Sequence, residues 1–404
     1  MPRALKVIAR IIAFVVIVLA LAATIVPRFL DRIYYRGSPS DHFTGERFFN
    51  PDGDADTGPP GGGRASFFWN QLTGRDNRPP WPASVAVRAS RPAPRVDGDR
   101  MVATWVGHAT VLVQAAGLNI LTDPVWSDTA GPFGLGPKRV AKPGIAFDDL
   151  PRIDLIVVSH NHYDHMDLAT LKRLWDRDRP RIVTSLGNDA ILRAAGIGAR
   201  AVDWGGHLYL VDGKLTDVPP PIACAPDDGF CAYPSVTVVR NHHWGSRWFA
   251  DRNRALWSAF VIRTRAGAIF FAGDTGLGDG QWPAEAARMG PIRLAIIPIG
   301  AFRFRPGQMS SGSHIGPVQA VEVFRGTGAT TGIPIHWGTF RLSYEGYTTP
   351  PRLLRAATRC AGVSGFDPVQ IGRAVEVRPV QGRAPLPSVD MDRCLDTPAV
   401  RSLR

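Results

Sequence analysis

The sequence predicts an α/β fold in which two β-sheets pack face to face and helices cover their outer surfaces. The chain has 404 residues, 45% of them apolar, so it is long enough to bury a large core. From Met101 onward, short apolar runs rich in β-branched and aromatic residues recur between Gly, Pro, Asp or Asn, as strands do. The early runs follow one another directly, whereas the later runs alternate with helical stretches. This mixture indicates two packed sheets covered by helices.

The individual elements follow in chain order. Strands are predicted at VATWV, TVLVQ, NILTD, DLIVVS, RIVTS, SVTVV, WSAFVI, AIFFAGD, LAIIPIG and TGIPIHW. Helices are predicted at HMDLATLKRLWDR, NDAILRAAG, PAEAARM and GPVQAVEVFRG.

The N-terminus carries the pattern of a membrane-directed segment. Arg3, Lys6 and Arg10 precede an uncharged apolar stretch from Ile11 to Val26, which ends before Pro27. A basic segment followed by an apolar stretch is what the export machinery recognises. We favour a signal anchor. A cleaved signal peptide is the alternative, because the stretch is slightly short for a span of ~20 residues and ALAAT offers small residues for cleavage.

The division of the chain follows from these changes in composition. We predict a signal anchor or signal peptide at 1–30, an N-terminal extension and linker at 31–100, the folded domain at 101–380 and a C-terminal tail at 381–404. Residues 51–64, PDGDADTGPPGGGR, have the Pro, Gly and Asp content of a linker.

The four cysteines are consistent with export. Cys224 and Cys231 lie close enough to close a small ring, and Cys360 and Cys394 are the remaining two. An even number predicts two disulfides, 224–231 and 360–394, if the domain lies in an oxidising compartment; four unrelated thiols are the alternative. We expect the protein in a bacterial-type inner membrane, with its folded domain in the periplasm or otherwise outside the cytoplasm.

The chain is basic, with a net charge of +12. Such a balance suits nucleic acid, an anionic membrane surface or phosphorylated substrates. The basic residues are scattered, and no interleaving of aromatic and basic residues resembles a nucleic-acid platform. The charge alone is therefore equally compatible with a soluble basic surface. We expect a membrane surface as a partner because of the N-terminal segment, and no nucleic acid.

A group of titratable residues follows the predicted strand IDLIVV. In SHNHYDHM, His160 and His162 are two residues apart, so both side chains can turn to the same side. Asp164 and His165 are expected to begin a helix. Imidazole and carboxylate are ligands that Zn²⁺ accepts. One such group has too few donors for two ions, so a metal site requires more donors at other strand ends.

The required donors occur at the ends of three later strands. VVRNHHW supplies His242 and His243, FFAGDTG supplies Asp274, and IPIHWGT supplies His336. Since four separate strand ends carry suitable donors, a metal site explains the pattern better than an accidental polar loop.

These stretches resemble the metallo-β-lactamase fold hydrolases, whose signature is H-x-H-x-D-H. Within them, the group that hydrolyses N-acylphosphatidylethanolamine, the phospholipase D group, is the most similar. The matching stretches are SHNHYDHMD, HHWGSRW, FFAGDTG, IPIGAF, IHWGTF, WVGHATVLV and DHFTGERFFNP, which lie between Asp41 and Pro351. The ascorbate-6-phosphate lactonase group is a more distant relative. The resemblance implies a four-layer αββα sandwich of two mixed β-sheets.

The resemblance also implies two divalent metal ions, zinc or alternatively manganese, held by seven residues. His160, His162 and His243 would bind the first ion, Asp164, His165 and His336 the second, and Asp274 both. His243 is preferred because the family's ligand histidine precedes a tryptophan, with His242 as the alternative.

Two residues are candidates for a catalytic role. Asp164 is expected to orient the attacking water as well as to bind metal. His314, in SGSHIGP, resembles a histidine beside the substrate in the phospholipase group. Gly316 stands where that group usually has Asp or Asn, so the orientation of His314 is left open.

The remaining histidines have weaker assignments. His108 is expected to have a structural role, with support of a metal ligand as the alternative. His207 and His42 are assigned to the surface or to packing, and Tyr163 either faces the substrate or packs.

The resemblance implies a membrane-associated hydrolase that cleaves N-acyl phosphatidylethanolamine or a related lipid as a phospholipase D. Metal ions supply an attacking water at neutral pH by lowering its pKa from ~15.7 towards ~7. TSLGND lacks the G-x-S-x-G motif of a serine nucleophile. A lactonase or related ester hydrolase is the alternative enzyme, and a metal- or nucleic-acid-binding protein without turnover is the alternative of another class.

Overall fold

The computed structural model of the chain describes residues 3–54, 78–220, 233–304, 308–380 and 389–403. Its strands form two sheets of seven strands each, both with parallel and antiparallel neighbours. The predicted four-layer αββα sandwich is therefore confirmed.

The first sheet has the strand order β14-β1-β2-β3-β4-β5-β6, and its strands from β3 to β6 are parallel. Its strands are β1 (Met101–Gly107), β2 (Thr110–Ala115), β3 (Leu118–Thr122), β4 (Leu155–Val158), β5 (Arg181–Ser185), β6 (Arg200–Val202) and β14 (Ala374–Glu376).

The second sheet has the order β13-β12-β11-β10-β9-β7-β8, with β11, β12 and β13 parallel. Its strands are β7 (His207–Val211), β8 (Lys214–Thr216), β9 (Ser235–Val239), β10 (Ala259–Thr264), β11 (Gly267–Phe271), β12 (Ile292–Pro298) and β13 (Thr331–Ile335).

The central core lies between the two sheets. In β4, Leu155 and Val157 face the inside, and Phe260 and Ile262 of β10 meet this core from the second sheet. Ile156 of β4 belongs to the outer cluster instead. Because both faces of these strands are covered, they are apolar throughout rather than alternating with polar residues.

Helices cover both outer faces of the sandwich. They are α2 (Leu168–Asp178), α3 (Asn188–Ala194), α4 (Trp282–Ala287), α5 (Pro317–Thr327), α6 (Thr349–Cys360), α7 (Met391–Leu395) and α8 (Pro398–Arg401). Leu171 of α2 and Leu192 of α3 pack on the first sheet, and Phe324 of α5 and Leu354 of α6 pack on the second.

The helix α1 (Arg3–Leu30) precedes this domain. Within its stretch from Leu5 to Leu30, a window of 18 residues has a mean hydropathy of 2.7 and is unburied. Among the described residues it is the helix that is long and apolar enough to cross a membrane. Residues 31–54 then return along the domain, where Phe43 and Phe48 pack against Leu256 and Trp257.

Every strand predicted from the sequence coincides with a strand of the structure. The strands β6, β7, β8 and β14 and the helices α6, α7 and α8 were not predicted. The missed strands are short and lie at or near the sheet edges, so they carry little apolar pattern. Helix α6 begins with two prolines after its first residue, which hides its start in the sequence.

One helix prediction is wrong in its start. Asp164 and His165 lie in a turn, and α2 begins at Leu168. Asp167 is the N-cap, since its carboxylate accepts hydrogen bonds from the backbone N–H groups of Ala169 and Thr170. In the irregular turn, the side chains of both Asp164 and His165 point at the strand ends. In a regular helix, two adjacent side chains would point in different directions.

Cys360 at the end of α6 is joined to Cys394 in α7 by a disulfide. The predicted pair 224–231 lies outside the described residues. The bond ties the C-terminal helices to the domain, where Leu395 and Val400 pack with Phe302. The boundaries at residues 30, 100 and 380 stay predictions.

Candidate metal centre

Four strand ends meet at one end of the sandwich. Strand β4 leads into His160, β9 into His243, β11 into Asp274 and β13 into His336. In the second sheet, β9, β11 and β13 run in the same direction, so their carboxyl ends lie at the same edge. The first sheet faces this edge with the end of β4. Residues that are far apart in the sequence therefore come together.

The first group of donors consists of His160, His162 and His243. One nitrogen of each ring lies within 4.8 Å of the other two, and His160 Nε2 is 2.8 Å from His162 Nδ1. Burial lowers the pKa of each of these imidazoles well below its usual value, and neighbouring imidazoles lower it further. The rings are therefore neutral and present lone pairs to a cation.

The second group consists of Asp164, His165 and His336, with Asp274 beside them. His336 Nε2 is 2.9 Å from Asp274 Oδ2 and 3.4 Å from Asp164 Oδ2. His165 Nε2 lies 3.1 Å from Asp274 Oδ2 and 3.2 Å from His336 Nε2. Asp274 also lies within 4.8 Å of a ring nitrogen of His243, so its carboxylate stands between the two groups.

The charges in the second group are strongly coupled. Burial alone would raise the pKa of Asp274, but His165 and His336 outweigh it and lower the pKa well below its usual range. Burial lowers the pKa of His336, yet Asp274 and Asp164 outweigh this and raise it to about 9. Two carboxylates buried together require positive charge beside them. A divalent cation supplies it and releases protons from the nitrogens that it binds.

Unsatisfied polar atoms show that the donor set fits metal ions. Among the described residues, His243 Nε2 and Asp274 Oδ1 are buried without a hydrogen-bond partner. Buried polar atoms without partners are rare and require an explanation such as a bound ion. Both atoms belong to the two groups, and imidazole nitrogen and carboxylate oxygen are the ligands that zinc takes.

The other ring nitrogen of four imidazoles is held by a neighbouring oxygen. These contacts join His165 Nδ1 to Asp123 Oδ2 (2.6 Å), His243 Nδ1 to the Ser313 carbonyl (2.9 Å), His336 Nδ1 to the Gly300 carbonyl (3.2 Å) and His160 Nδ1 to Ser159 Oγ (2.9 Å). Such partners fix the tautomer and orientation of a metal-binding imidazole. In each case Nε2 is left for the cluster.

Asp123 is a member of this site that sequence reasoning missed. It lies directly after β3, is fully buried, and accepts hydrogen bonds from the Ser159 backbone N–H (2.7 Å) and hydroxyl (2.5 Å). Burial raises its pKa, and the contacts with His165 and Ser159 offset this only in part. Its sequence signal, an acidic residue at the end of an apolar strand, was the same one that marked Asp274.

His108 also supports the second group. It lies in the tight turn between β1 and β2 with φ of 51°. Its Nε2 is 2.9 Å from Asp164 Oδ2, and burial lowers its pKa to about 3. The neutral ring therefore donates an N–H to Asp164. The sequence left open whether His108 is structural or supports a ligand, and this contact places it against a candidate ligand.

His314 faces the cluster from the loop before α5. Its Nδ1 lies 3.7 Å from Asp274 Oδ2, and burial lowers its pKa to about 4. Gly316 caps α5, and a Cβ at that position would lie 1.9 Å from the Met309 carbonyl oxygen. Glycine is thus required by the close approach of this backbone.

The other histidines lie apart from the cluster. His242 Nδ1 is 2.9 Å from Asp52 Oδ1, on a different side from His243. His42 is buried between Asp41 and Asp203, and His207 Nδ1 contacts Thr237 Oγ1 at 2.7 Å.

Tyr163, inside the histidine motif, donates its hydroxyl hydrogen to the Arg247 carbonyl. Its ring also lies 4.0 Å from the Arg247 guanidinium carbon. These contacts account for Tyr163 by packing against the loop after His243.

The extension before the domain contributes a second missed residue. Asn50 donates from Nδ2 to the His243 carbonyl (2.8 Å), and its Oδ1 accepts the His243 N–H (3.3 Å). The same oxygen accepts from Trp257 Nε1 (3.1 Å). Asn50 therefore holds the backbone of a candidate ligand on both sides. Its stretch, GERFFNP, was noted only as part of a resemblance.

Comparison with known proteins places this geometry in a family. A family model described as a β-lactamase superfamily domain matches residues 118–337. The N-acyl-phosphatidylethanolamine-hydrolyzing phospholipase D 1 of Caenorhabditis elegans is 36% identical over 261 residues, which are 62% of this chain and 68% of that protein.

Two further relatives are similar over comparable lengths. The mitochondrial N-acyl-phosphatidylethanolamine-hydrolyzing phospholipase D of Saccharomyces cerevisiae is 29% identical over 270 residues, which are 64% of this chain and 52% of that protein. A metal-dependent hydrolase of Nitratidesulfovibrio vulgaris is 26% identical over 241 residues, 59% of this chain and 80% of that protein. With the family match spanning more than half of its length, the chain belongs to the β-lactamase superfamily and is a metal-dependent hydrolase.

Proposed function

We propose that the protein is a membrane-anchored phospholipase D that hydrolyses the phosphodiester of N-acyl phosphatidylethanolamine or a related phospholipid. The observation that carries the proposal is the buried cluster of imidazoles and carboxylates in a chain 36% identical to a phospholipase of that name. The apolar helix from Leu5 to Leu30 supports a location at the bilayer, where such a substrate is concentrated.

We assign the two groups of donors to two divalent cations, zinc in the first place and manganese as the alternative. His160, His162 and His243 would hold one, Asp164, His165 and His336 the other, and Asp274 both. Ions bound there would supply an activated water and would neutralise charge on the phosphoryl oxygens. A set of imidazoles and carboxylates without thiolate suits either metal.

Two side chains of the chain itself would position the reactants. Asp164 accepts the Nε2–H of His108, which fixes the direction of its carboxylate. We propose that Asp164 thereby orients the attacking water. His314 is neutral at physiological pH, and we propose that it donates an N–H to a phosphoryl oxygen or to the departing alkoxide.

The compartment belongs to the same proposal. We place the catalytic domain outside the cytoplasm of a bacterial-type cell, with α1 as its anchor. The Cys360–Cys394 disulfide supports this, because disulfides persist in oxidising compartments. Non-reducing peptide mapping of protein from native membranes should recover this pair and a 224–231 pair. Free thiols at all four positions would contradict the assignment.

Activity on defined substrates tests the reaction. We expect the detergent-purified full chain to release phosphatidate from N-acyl phosphatidylethanolamine and to lose this activity with a chelator. In ¹⁸O-labelled water the label should enter phosphatidate, because attack occurs at phosphorus. Label in the released alcohol, or hydrolysis of lactones without any phospholipid cleavage, would refute the proposal.

Adjacent histidines provide a matched pair for the metal assignment. We expect His243→Ala to lose bound metal and activity together, because its Nε2 faces the cluster. His242→Ala should keep its metal and most activity, since its ring faces Asp52. Elemental analysis of both purified variants checks this. Full metal content in the His243→Ala variant would overturn the ligand set.

A further inference from the structure

We propose that the face around the end of α1 contacts the phospholipid bilayer and holds the metal centre close to the membrane surface. This inference rests on the proposed function, because it takes α1 to be a membrane anchor. Four apolar side chains form the contact, and we call them the apolar rim: Phe133, Leu135, Trp248 and Phe249.

The first support is the attachment of the anchor to one loop of the domain. The loop of residues 244–254 follows His243. In it, Trp248 Nε1 donates to the Phe29 carbonyl (2.7 Å), and the Ala250 N–H donates to the Leu30 carbonyl (2.8 Å). These bonds occupy carbonyl groups in the last turn of α1, which lack partners within the helix.

An ion pair strengthens the same attachment. Directly after α1, the Asp31 carboxylate accepts hydrogen bonds from Arg254 Nε and from Arg47 Nη2, each at 2.8 Å. The Arg254 side chain is largely buried. The end of the anchor is therefore bonded to the domain, rather than connected to it by a flexible linker.

The second support is that the same loop also contacts the histidine motif. Arg247 donates from Nη1 to the Met166 carbonyl (2.8 Å) and the Asn161 carbonyl (3.2 Å). The ring of Trp244 packs edge-on against His162, with centroids 4.3 Å apart. One short loop thus joins the anchor end to the candidate metal ligands, so the metal centre lies close to the face from which α1 leaves.

The third support is the exposure of large apolar side chains on that face. Phe133 is 85% exposed, Leu135 67% and Phe249 63%. The rings of Phe133 and Phe249 both lie edge-on to the Trp248 ring, with centroids 6.4 and 4.9 Å from it. Grouped exposed apolar residues mark interaction surfaces, and aromatic residues are enriched where a protein meets the membrane interface.

The backbone conformation of Phe133 also supports a role for this residue in the contact. Phe133 has φ of 56°, which is unfavourable for a residue with a bulky side chain. Strained residues of this kind persist at functional positions. The short turn Pro132–Gly134 thereby presents an aromatic ring to the outside instead of burying it.

The charge and the position of the apolar rim indicate that its partner is the bilayer. The Arg32 guanidinium lies 3.9 Å from the centre of the Trp248 ring, so a basic group stands among the apolar ones, as suits anionic headgroups. A membrane that holds α1 must also end where α1 ends. Because Trp248 of the rim contacts that end through Phe29, the bilayer surface is the partner that lies against the rim.

Site-specific quenching tests the contact independently of activity. The full chain is reconstituted in vesicles of phosphatidylcholine and phosphatidylglycerol, with a fluorophore on the cysteine of Leu135→Cys. Val218→Cys is the matched control, because Val218 is also 67% exposed but lies beyond β8. The unsubstituted chain measures labelling of native cysteines. Spin-labelled lipids should quench the probe at position 135 and leave the probe at position 218 bright.

A second variant links the contact to catalysis. We expect Phe133→Ser combined with Leu135→Ser to lower hydrolysis of bilayer-embedded substrate about tenfold. The double variant lacks two apolar side chains that would each be partly buried in the membrane. Its rate on a water-soluble phosphodiester should not change.

The outcomes separate the two proposals. Equal quenching at both positions, no quenching at position 135, or an equal loss on both substrates would overturn the membrane contact. Quenching confined to position 135 in a protein that cleaves no phospholipid would support the contact and refute the proposed substrate.

Discussion

At the residue scale, the candidate metal centre also depends on groups outside the seven assigned ligands. Asp123, His108 and Asn50 each fix a candidate ligand, through His165, Asp164 and the His243 backbone respectively. They come from the end of β3, from the β1–β2 turn and from the extension. Orientation of the ligands is thus built from three separate parts of the chain.

Asp123→Asn tests this support. The amide group that replaces the carboxylate holds the His165 N–H less strongly, so we expect metal affinity to fall about 10- to 100-fold. Competition with a fluorescent chelator measures the affinity. Asp148→Asn, at an exposed aspartate, is the control and should bind as the unsubstituted chain does. Unchanged affinity in the Asp123 variant would contradict a role in holding His165.

At the element scale, segments outside the sandwich hold parts of the site in place. The extension docks through His42, which lies between Asp203 and Asp41 and stacks on Trp204. The C-terminal helices dock beside the loop that carries His314, where Arg303 donates to the Leu403 carbonyl (2.7 Å). Loss of either of these contacts should therefore disturb the metal centre.

The docking of the extension should depend on pH. Burial lowers the pKa of His42, but Asp203 and Asp41 outweigh it, and the pKa is raised above 6.5. Its contribution to stability is therefore fully present below the unfolded pKa and is lost as pH rises through the folded pKa. Thermal unfolding of the full chain across the neutral pH range should show this decline, and His42→Gln should remove it.

His207 provides a control because its pKa is shifted in the opposite direction. Burial and then Arg263 lower its pKa, so its contribution to stability is lost as pH falls. In the His207→Gln variant, the decline of stability at low pH should be smaller, and the decline at high pH should be unchanged. Identical pH profiles for the two variants would contradict the docking role of His42.

The disulfide should restrain the C-terminal helices. Cys360→Ser opens a loop with a sequence separation of 34, for which chain entropy predicts a loss of about 4 kcal/mol. Because the bond ties down a terminal segment, we expect much of the effect locally, as faster hydrogen exchange at 391–403 and around Phe302. Reduction of the unsubstituted chain should reproduce it. Unchanged exchange in both cases would be evidence against the restraint.

At the scale of the whole molecule, the candidate metal centre connects the two sheets. The first sheet contributes the donors that follow β4, and the second contributes those after β9, β11 and β13. Bound cations would therefore join the sheets at one end of the sandwich. The same end of the sandwich lies near the point where α1 meets the domain, so the proposed anchor and the candidate metal centre lie in one region.

Removal of metal should lower the thermal stability of the whole domain. A ligand present at about 100 times its dissociation constant stabilises by roughly 2.7 kcal/mol, which corresponds to about 4–5 °C in melting temperature for a domain of this size. We expect a chelator to shift the midpoint by this amount, measured by circular dichroism. His160→Ala should melt at the lower temperature with or without chelator. A chelator shift of equal size in that variant would argue against this origin of the stability.

The sequence by itself determined the two-sheet architecture and the residues of the candidate cluster. Central strands such as β4 and β10 are apolar on both faces, and that pattern is local and readable. His160, Asp274 and His336 stand within three residues of the ends of such strands, where polar residues at the end of a buried run are conspicuous. The same pattern marks Asp123 after β3, so a strand-end signal finds candidate residues without assigning their roles.

Only the tertiary structure decided which groups support that cluster and where the end of α1 is bound to the domain. The contact of Asp123 with His165 joins residues 42 positions apart, and that of Trp248 with Phe29 joins residues 219 apart. No local pattern encodes such pairs, because each arises only when the sheets pack and bring distant turns together. The turn at Asp164 likewise replaced a predicted helix start, because Asp167 caps α2 and the preceding residues were left to the site. Hydrophobic periodicity specifies elements, whereas the contacts between their ends depend on how the elements pack.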